Sequence, residues 1–364
     1  MSRVGTLGGL VAALAVALPV PALAAEPLAP LPSLRAPAPE QVALGKLLFF
    51  DPRLSGDASI SCATCHDPKK AWGDGQPLST GYPGTEYFRN SQTILNAAHY
   101  RRSYWDGRMD GRDLPTLVRD HLTEAHFMQV DGRLIIERLR QVPEYEEFFR
   151  KAMGGEPSFG RTLNAITAFV QTVTSRNVPL DRHLRGEAGA LAPAAQEGMQ
   201  LFSGKAGCVQ CHDGALLSDQ RFHALGVPEN PAVYRDPLRH VSYRRFLKTL
   251  GVPNYDNLRE DVGLYAVTKV ASHRGRFRTP SLREVALTGP YMHNGVLPTL
   301  EAVIEFYNRG GGTHANKSPL LRPLGLDDGE KRTLVEFLRS LTGDPIAVEP
   351  PALPEYKLRT LGKN

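Results

Sequence analysis

Two pentapeptides hold every cysteine of this 364-residue chain: Cys62-Ala63-Thr64-Cys65-His66 and Cys208-Val209-Gln210-Cys211-His212. A Cys-x-x-Cys pair followed at once by His has the spacing for covalent attachment of c-type haem. The sulfurs form thioethers with the haem vinyl groups, and the adjacent imidazole sits beneath the iron as its proximal ligand. Two rival chemistries use the same cysteines: one zinc ion shared by two Cys-x-x-Cys pairs, and a pair of redox-active dithiols. Neither requires a histidine after both pairs. The sequence therefore points to two covalently bound haem c groups, attached through Cys62, Cys65, Cys208 and Cys211, with His66 and His212 as iron ligands.

Such haem is attached outside the cytoplasm, and the N-terminus agrees. Arg3, the apolar run Gly8 to Leu18 and the small-x-small triplet Ala22-Leu23-Ala24 have the three parts of a secretory signal peptide over residues 1–24. The run is too short to span a bilayer and is broken by Pro19 and Pro21. A periplasmic protein without membrane insertion is expected. The formal net charge is +5 and the sequence pI about 9.0. Two haems bring four propionates that offset this charge, so no nucleic-acid partner is expected.

The elements that must hold these groups read as helices and loops. After a Pro-rich lead-in at 25–39, helical patterning is expected at about 40–50, 132–153, 160–176, 193–203, 299–309 and 328–341. Leu163, Ile166, Phe169, Val170 and Val173 form one apolar stripe. Residues 67–90 are rich in Gly, Pro, Asp and Ser, and 213–280 look mostly irregular. The fold class is mainly α: two cytochrome c-like domains, at 40–180 and 181–345, each wrapping one covalently bound c-type haem with long irregular loops, then a tail at 346–364. In the 299–309 helix, Leu300, Val303, Ile304 and Tyr307 fall at i, i+3, i+4 and i+7, with Thr299 as N-cap and Gly310-Gly311-Gly312 as the stop. That spacing puts the Tyr307 ring on the buried face; on these residues alone it reads as a core tyrosine.

Further segments are Leu44-Gly45-Lys46-Leu47-Leu48-Phe49-Phe50-Asp51, Arg89-Asn90-Ser91, Trp105-Asp106-Gly107-Arg108, Phe277-Arg278-Thr279-Pro280-Ser281-Leu282-Arg283, Pro290-Tyr291-Met292-His293-Asn294-Gly295 and Phe306-Tyr307-Asn308-Arg309-Gly310-Gly311. With these, in this order, the chain resembles the bacterial di-haem cytochrome c peroxidase family, including its MauG branch. The resemblance implies a peroxidatic haem in the first domain and an electron-transfer haem in the second. It makes Tyr307, 14 residues after His293, the sixth ligand of the second haem, with Met292 and His293 as fallbacks. Peroxidases of the family carry Met there and MauG-type enzymes Tyr. It makes Trp105 the bridge between the haems, and Asn90 with the carbonyls of Thr288 and Pro290 an inter-domain calcium site.

Two departures from the family pattern matter. Where many members carry a distal His, seven residues before Arg-Asn-Ser, this chain has Tyr82, so a first haem open to peroxide at rest is expected. The family's distal Glu aligns with Phe127, leaving Glu124, and after it His126, as candidates for moving a proton between the peroxide oxygens. The implied function is reduction of hydrogen peroxide with electrons from a small periplasmic cytochrome c or copper protein. A MauG-like maturase oxidising Tyr or Trp side chains of a protein substrate is the alternative, and a non-catalytic electron carrier or redox sensor the third reading.

Overall fold

The computed structural model describes residues 25–356 other than Gly84. The expected signal peptide at 1–24 and the last eight residues lie outside the described part. Within it the architecture is mainly helical, with two short antiparallel pairs: Arg102–Ser103 with Met109–Asp110, and Phe222–Ala224 with Arg276–Arg278. No helix among the described residues is long and apolar enough to cross a membrane.

Each half repeats one plan. A helix precedes the Cys-x-x-Cys-His turn, and a later helix closes over it. In the first half these are Pro39–Phe50 and Phe159–Val170; in the second, Pro193–Ser203 and Asp328–Arg339. Proline at the start of both opening helices suits a position whose N–H has no helical partner. Asp51, ahead of Pro52, is held extended and ends the first. Both helix pairs cross at a glycine. A methyl added at Gly45 would lie 1.9 Å from the carbonyl oxygen of Ala165, and one at Gly198 would lie 2.2 Å from that of Thr333. The backbones touch there, which only glycine permits.

Two apolar cores follow from these crossings. One gathers Leu48, Phe49, Tyr145, Ile166 and Phe169; the other gathers Leu180, Phe202, Leu334, Phe337 and Leu341. A third cluster joins Tyr87 and Phe88 to Tyr243, Phe246, Leu247 and Val262. It rests on a helix, Pro237–Thr249, inside the stretch expected to be irregular. The expected helix at 132–153 is two helices, Gly132–Arg140 and Pro143–Met153, because Pro143 cannot continue the first. The helix expected at 160–176 stops at Val170.

The termini cross over. The lead-in packs on the second half: Glu26 N–H donates to Asp213, and Ala29 C=O accepts from the buried Arg283 guanidinium, itself paired with Asp181 at 2.9 Å. The tail packs on the first half: Ile346 C=O accepts from Trp72 Nε1, and Pro354 C=O from Arg53. Replacing Gly45 by Ala is expected to cost about 1–3 kcal/mol of stability, the usual penalty of overpacking. Thermal unfolding of the holoprotein followed by circular dichroism checks this; an unchanged midpoint would mean that the crossing yields without strain.

Candidate functional site: two haem cavities with a shared wall

Both Cys-x-x-Cys-His segments fold into the same tight turn. His66 N–H donates to Cys62 C=O at 3.0 Å, and His212 N–H to Cys208 C=O at 2.9 Å. Ser61 and Thr64 cap the first turn reciprocally. The cysteines are not in disulfides. Burial pushes the Cys62 and Cys208 thiols up to about 12 and Cys65 up to about 11. Such thiols are poor nucleophiles, unlike those of redox dithiols. The two pairs also open into different cavities, so they cannot close on one zinc ion.

The first cavity is bordered by Cys62, Cys65 and His66, the second by Cys208, Cys211 and His212. Each histidine has its Nδ1 at a backbone carbonyl: His66 at Trp72 O, 3.2 Å, and His212 at Leu217 O, 2.9 Å. This leaves Nε2 for a metal and fixes the ring, the usual support of a ligating histidine. Burial lowers the pKa of both rings, keeping them neutral as ligands must be. Arg108 Nη2, on the first cavity, is a buried donor with no hydrogen-bond partner. It suits an anionic group such as a propionate. Sulfur, imidazole and an unpartnered guanidinium N–H thus fit a haem in the first cavity, and the matching turn and anchored ring fit one in the second.

Trp105 borders both cavities. Its Nε1–H donates to Asn90 C=O at 3.0 Å, and its own carbonyl accepts from Arg278 N–H at 2.9 Å. Next to it, Asp106 is fully buried and paired with Arg89 at 2.6 Å and Arg108 at 3.1 Å, while Arg89 also grips Asp261 at 2.6 Å. The two arginines hold Asp106 below the usual carboxylate range against the effect of its burial. The Arg108 guanidinium lies over the Tyr104 ring, 3.4 Å from its centre. These contacts fix the wall between the cavities.

In the second cavity, the helix Leu300–Asn308 is capped by Thr299 as expected. Leu300 and Ile304 are buried, and Leu300, Val303 and Tyr307 border the cavity with His212. No described residue hydrogen-bonds the Tyr307 hydroxyl, which separates it from an ordinary core tyrosine. Burial pushes that phenol well above its usual range. Met292 and His293 border the same cavity; the His293 ring stacks on Phe277 at 3.6 Å, with Nε2 unpartnered. Asn90, Thr288 and Pro290 also border this cavity, and Asn90 Nδ2–H donates to Gln76 C=O, leaving Oδ1 uncommitted.

The distal candidates fare differently. Glu124 and His126 do not border the first cavity. The helix ends at Thr123, and the following turn aims Phe127 inward. Glu124 stands 3.0 Å from His126 Nε2, and His126 stacks on Tyr87. Burial works to raise the Glu124 pKa, but His126 and Arg108 overcome it and keep the group an anion. Tyr82 packs beside Gly56, also off the cavity. Sequence reasoning missed His121, which does border it, with its ring centre 6.1 Å from that of His66. The available signal was the spacing Leu114, Leu117, Val118, His121 after a Pro-containing helix start.

Mass spectrometry of the exported protein is expected to show two covalent haems, and Cys208→Ala with Cys211→Ala to leave one; zinc or a single haem in the unaltered protein would contradict this. Tyr307→Met is expected to raise the second haem's potential on the order of 100 mV, since a thioether favours the reduced iron. Redox titration checks it, and an unmoved potential would return Tyr307 to the core.

A family model described as di-haem cytochrome c peroxidase matches residues 39–189. The cytochrome-c peroxidase IdrP2 of Pseudomonas sp. (strain SCT) is 50% identical over 93% of this chain and 90% of its own length. The methylamine utilization protein MauG of Methylorubrum extorquens is 36% identical over 87% of this chain and 82% of its own. A solved MauG-like protein associated with microbial copper homeostasis superposes with TM-score 0.72 at 30% identity, covering 91% of this chain and 96% of that one. The two-cavity fold, its helical plan and these relatives agree: the chain belongs to the di-haem cytochrome c peroxidase family.

Proposed function

We propose that this protein is a periplasmic peroxidase that reduces hydrogen peroxide to water with electrons from a small redox protein, a cytochrome c or a copper protein. One observation carries the reading: Trp105 belongs to the walls of both haem cavities. Haem bound there supplies iron that exchanges electrons singly, whereas each peroxide takes two electrons and two protons to give two waters. Two sites that share an aromatic wall can deliver both electrons to one peroxide.

The chain's own residues have separable roles. His66 and His212, each oriented through Nδ1, would hold the irons, and Tyr307 would be a further ligand in the second cavity. Arg108 presents an unpartnered N–H to the first cavity, where it can orient an anionic oxygen. Trp105, pinned through its indole N–H and its carbonyl, carries charge between the sites. Asn90 with the Thr288 and Pro290 carbonyls would hold a calcium ion, an all-oxygen set that suits that cation. Export rests on the N-terminal pattern and on the covalent haem, which is attached outside the cytoplasm.

A second reading, oxidation of Tyr or Trp side chains on a partner protein, is favoured by Tyr307. Relatives named cytochrome-c peroxidase reach 44–50% identity and those named MauG 31–36%, which supports the first. Holoprotein reduced by one electron per chain should oxidise two equivalents of a ferrous small cytochrome c per peroxide. Trp105→Phe should slow turnover at least tenfold with both haem spectra kept. Peroxide consumed without cytochrome oxidation would overturn this and point to the protein-substrate reading.

A further inference from the structure

Three phenols of the third apolar cluster stand in series. Tyr87 borders the first cavity. Its ring centre lies 4.8 Å from that of Phe88, Phe88 lies 5.5 Å from Tyr243, and Tyr243 lies 5.8 Å from Tyr234. Tyr87, Phe88 and Tyr243 are buried, whereas Tyr234, in the short helix Ala232–Arg235, is partly exposed. The row of rings thus runs from the first cavity to the surface. A core packed for burial alone would use phenylalanine, since every buried hydroxyl must be supplied with a partner. The two far hydroxyls have different partners. Tyr243 donates to the backbone carbonyl of Glu260 at 2.7 Å, an acceptor that cannot take the proton. Tyr234 donates to Glu229 Oε2 at 2.9 Å, a carboxylate that can. The other Glu229 oxygen accepts from Asp261 N–H at 3.1 Å, which holds the carboxylate in place. Burial, and after it the charge of Asp261, raises the Glu229 pKa to about 7 and makes it a stronger proton acceptor than an ordinary carboxylate.

A phenol gives up an electron far more readily when its proton can leave at the same moment. Of the two far phenols, only Tyr234 has a group to take it. We propose that Tyr234 is a second oxidation site of this protein, fed from the first cavity through Tyr87, Phe88 and Tyr243 when the electron donor is lacking. The inference rests on a haem in that cavity that peroxide oxidises, as the proposed function requires. One electron passes from Tyr234 along the row to that haem. The Tyr234 O–H bond breaks, and the proton forms a bond to Glu229 Oε2. A neutral phenoxyl remains, and the haem is reduced by one equivalent. Phe88, the least oxidisable ring of the row, is a bridge between two phenols rather than a stop. Such an exit draws an unused oxidising equivalent away from the haem and its ligands. It delivers that equivalent where a small phenolic donor in solution can return one electron and one proton.

Electron paramagnetic resonance tests this on holoprotein mixed with hydrogen peroxide, without an electron donor, and rapidly frozen. An organic radical is expected whose hyperfine pattern narrows when the protein is made with ring-deuterated tyrosine. Tyr234→Phe should lower its yield about tenfold. Glu229→Gln, which keeps the hydrogen bond but cannot take the proton, should do the same. A tyrosyl signal that either variant leaves undiminished would overturn the proposal, as would haems that peroxide oxidises with no tyrosyl radical. If the variants fail to load haem, a nitroso spin trap on the unaltered protein decides: an adduct mapped to Tyr234 supports the site, and adducts on other residues alone refute it. A holoprotein that forms this radical yet oxidises no cytochrome c would count against the proposed function and leave this site standing. Cytochrome oxidised normally with no radical at Tyr234 would do the reverse.

Discussion

The thin wall between the two cavities is the constraint on which the rest of the molecule depends. One indole must border both sites, so its position has to be set from several directions at once. Asn90 takes its N–H, Arg278 binds its carbonyl, and the neighbouring Asp106 is clamped by Arg89 and Arg108. Arg89 reaches on to Asp261, which ties this wall to the third apolar cluster. Removing one partner of so buried a network leaves an uncompensated charge, a loss of about 3–5 kcal/mol. The proposed electron sharing and the local stability therefore rest on the same few side chains.

The two halves are organised around their cavities. Each has a helix pair crossing at a glycine, yet the space facing the Cys-x-x-Cys-His turn is cavity, bordered by long loops. Loops of that length are uncommon in a compact domain unless something gives them a surface to pack on. A haem of the kind the family binds would supply that surface, and the paired cysteines stand where two thioether bonds would retain it. The crossed termini add a second tie, since the lead-in fastens to the second half and the tail to the first.

Much of this was legible in the sequence because it is written in short-range chemistry. The haem turns, the Thr299-capped helix and the inward face of Tyr307 need only spacing and local capping. What was hidden depends on long-range partners. The helix Pro237–Thr249 escaped notice because Arg239, Arg244, Arg245 and Lys248 interrupt its apolar pattern, and it is held by Phe88 from far upstream. Proline at 143 divides a stripe that periodicity alone reads as continuous. Glu124 and His126 are the acid/base groups nearest in sequence to Phe127, where the family's distal Glu aligns, but after the helix end at Thr123 it is Phe127 itself that borders the cavity. His121 carries no marker of its own in the sequence, because its place on the first cavity depends on His66, 55 positions away in the chain.

Diffraction from crystals of the holoprotein at the iron absorption edge tests the arrangement most directly. Two iron peaks are expected, one beside His66 Nε2 and one beside His212 Nε2, with the Trp105 ring between them. A single peak, or two peaks on the same side of Trp105, would contradict it.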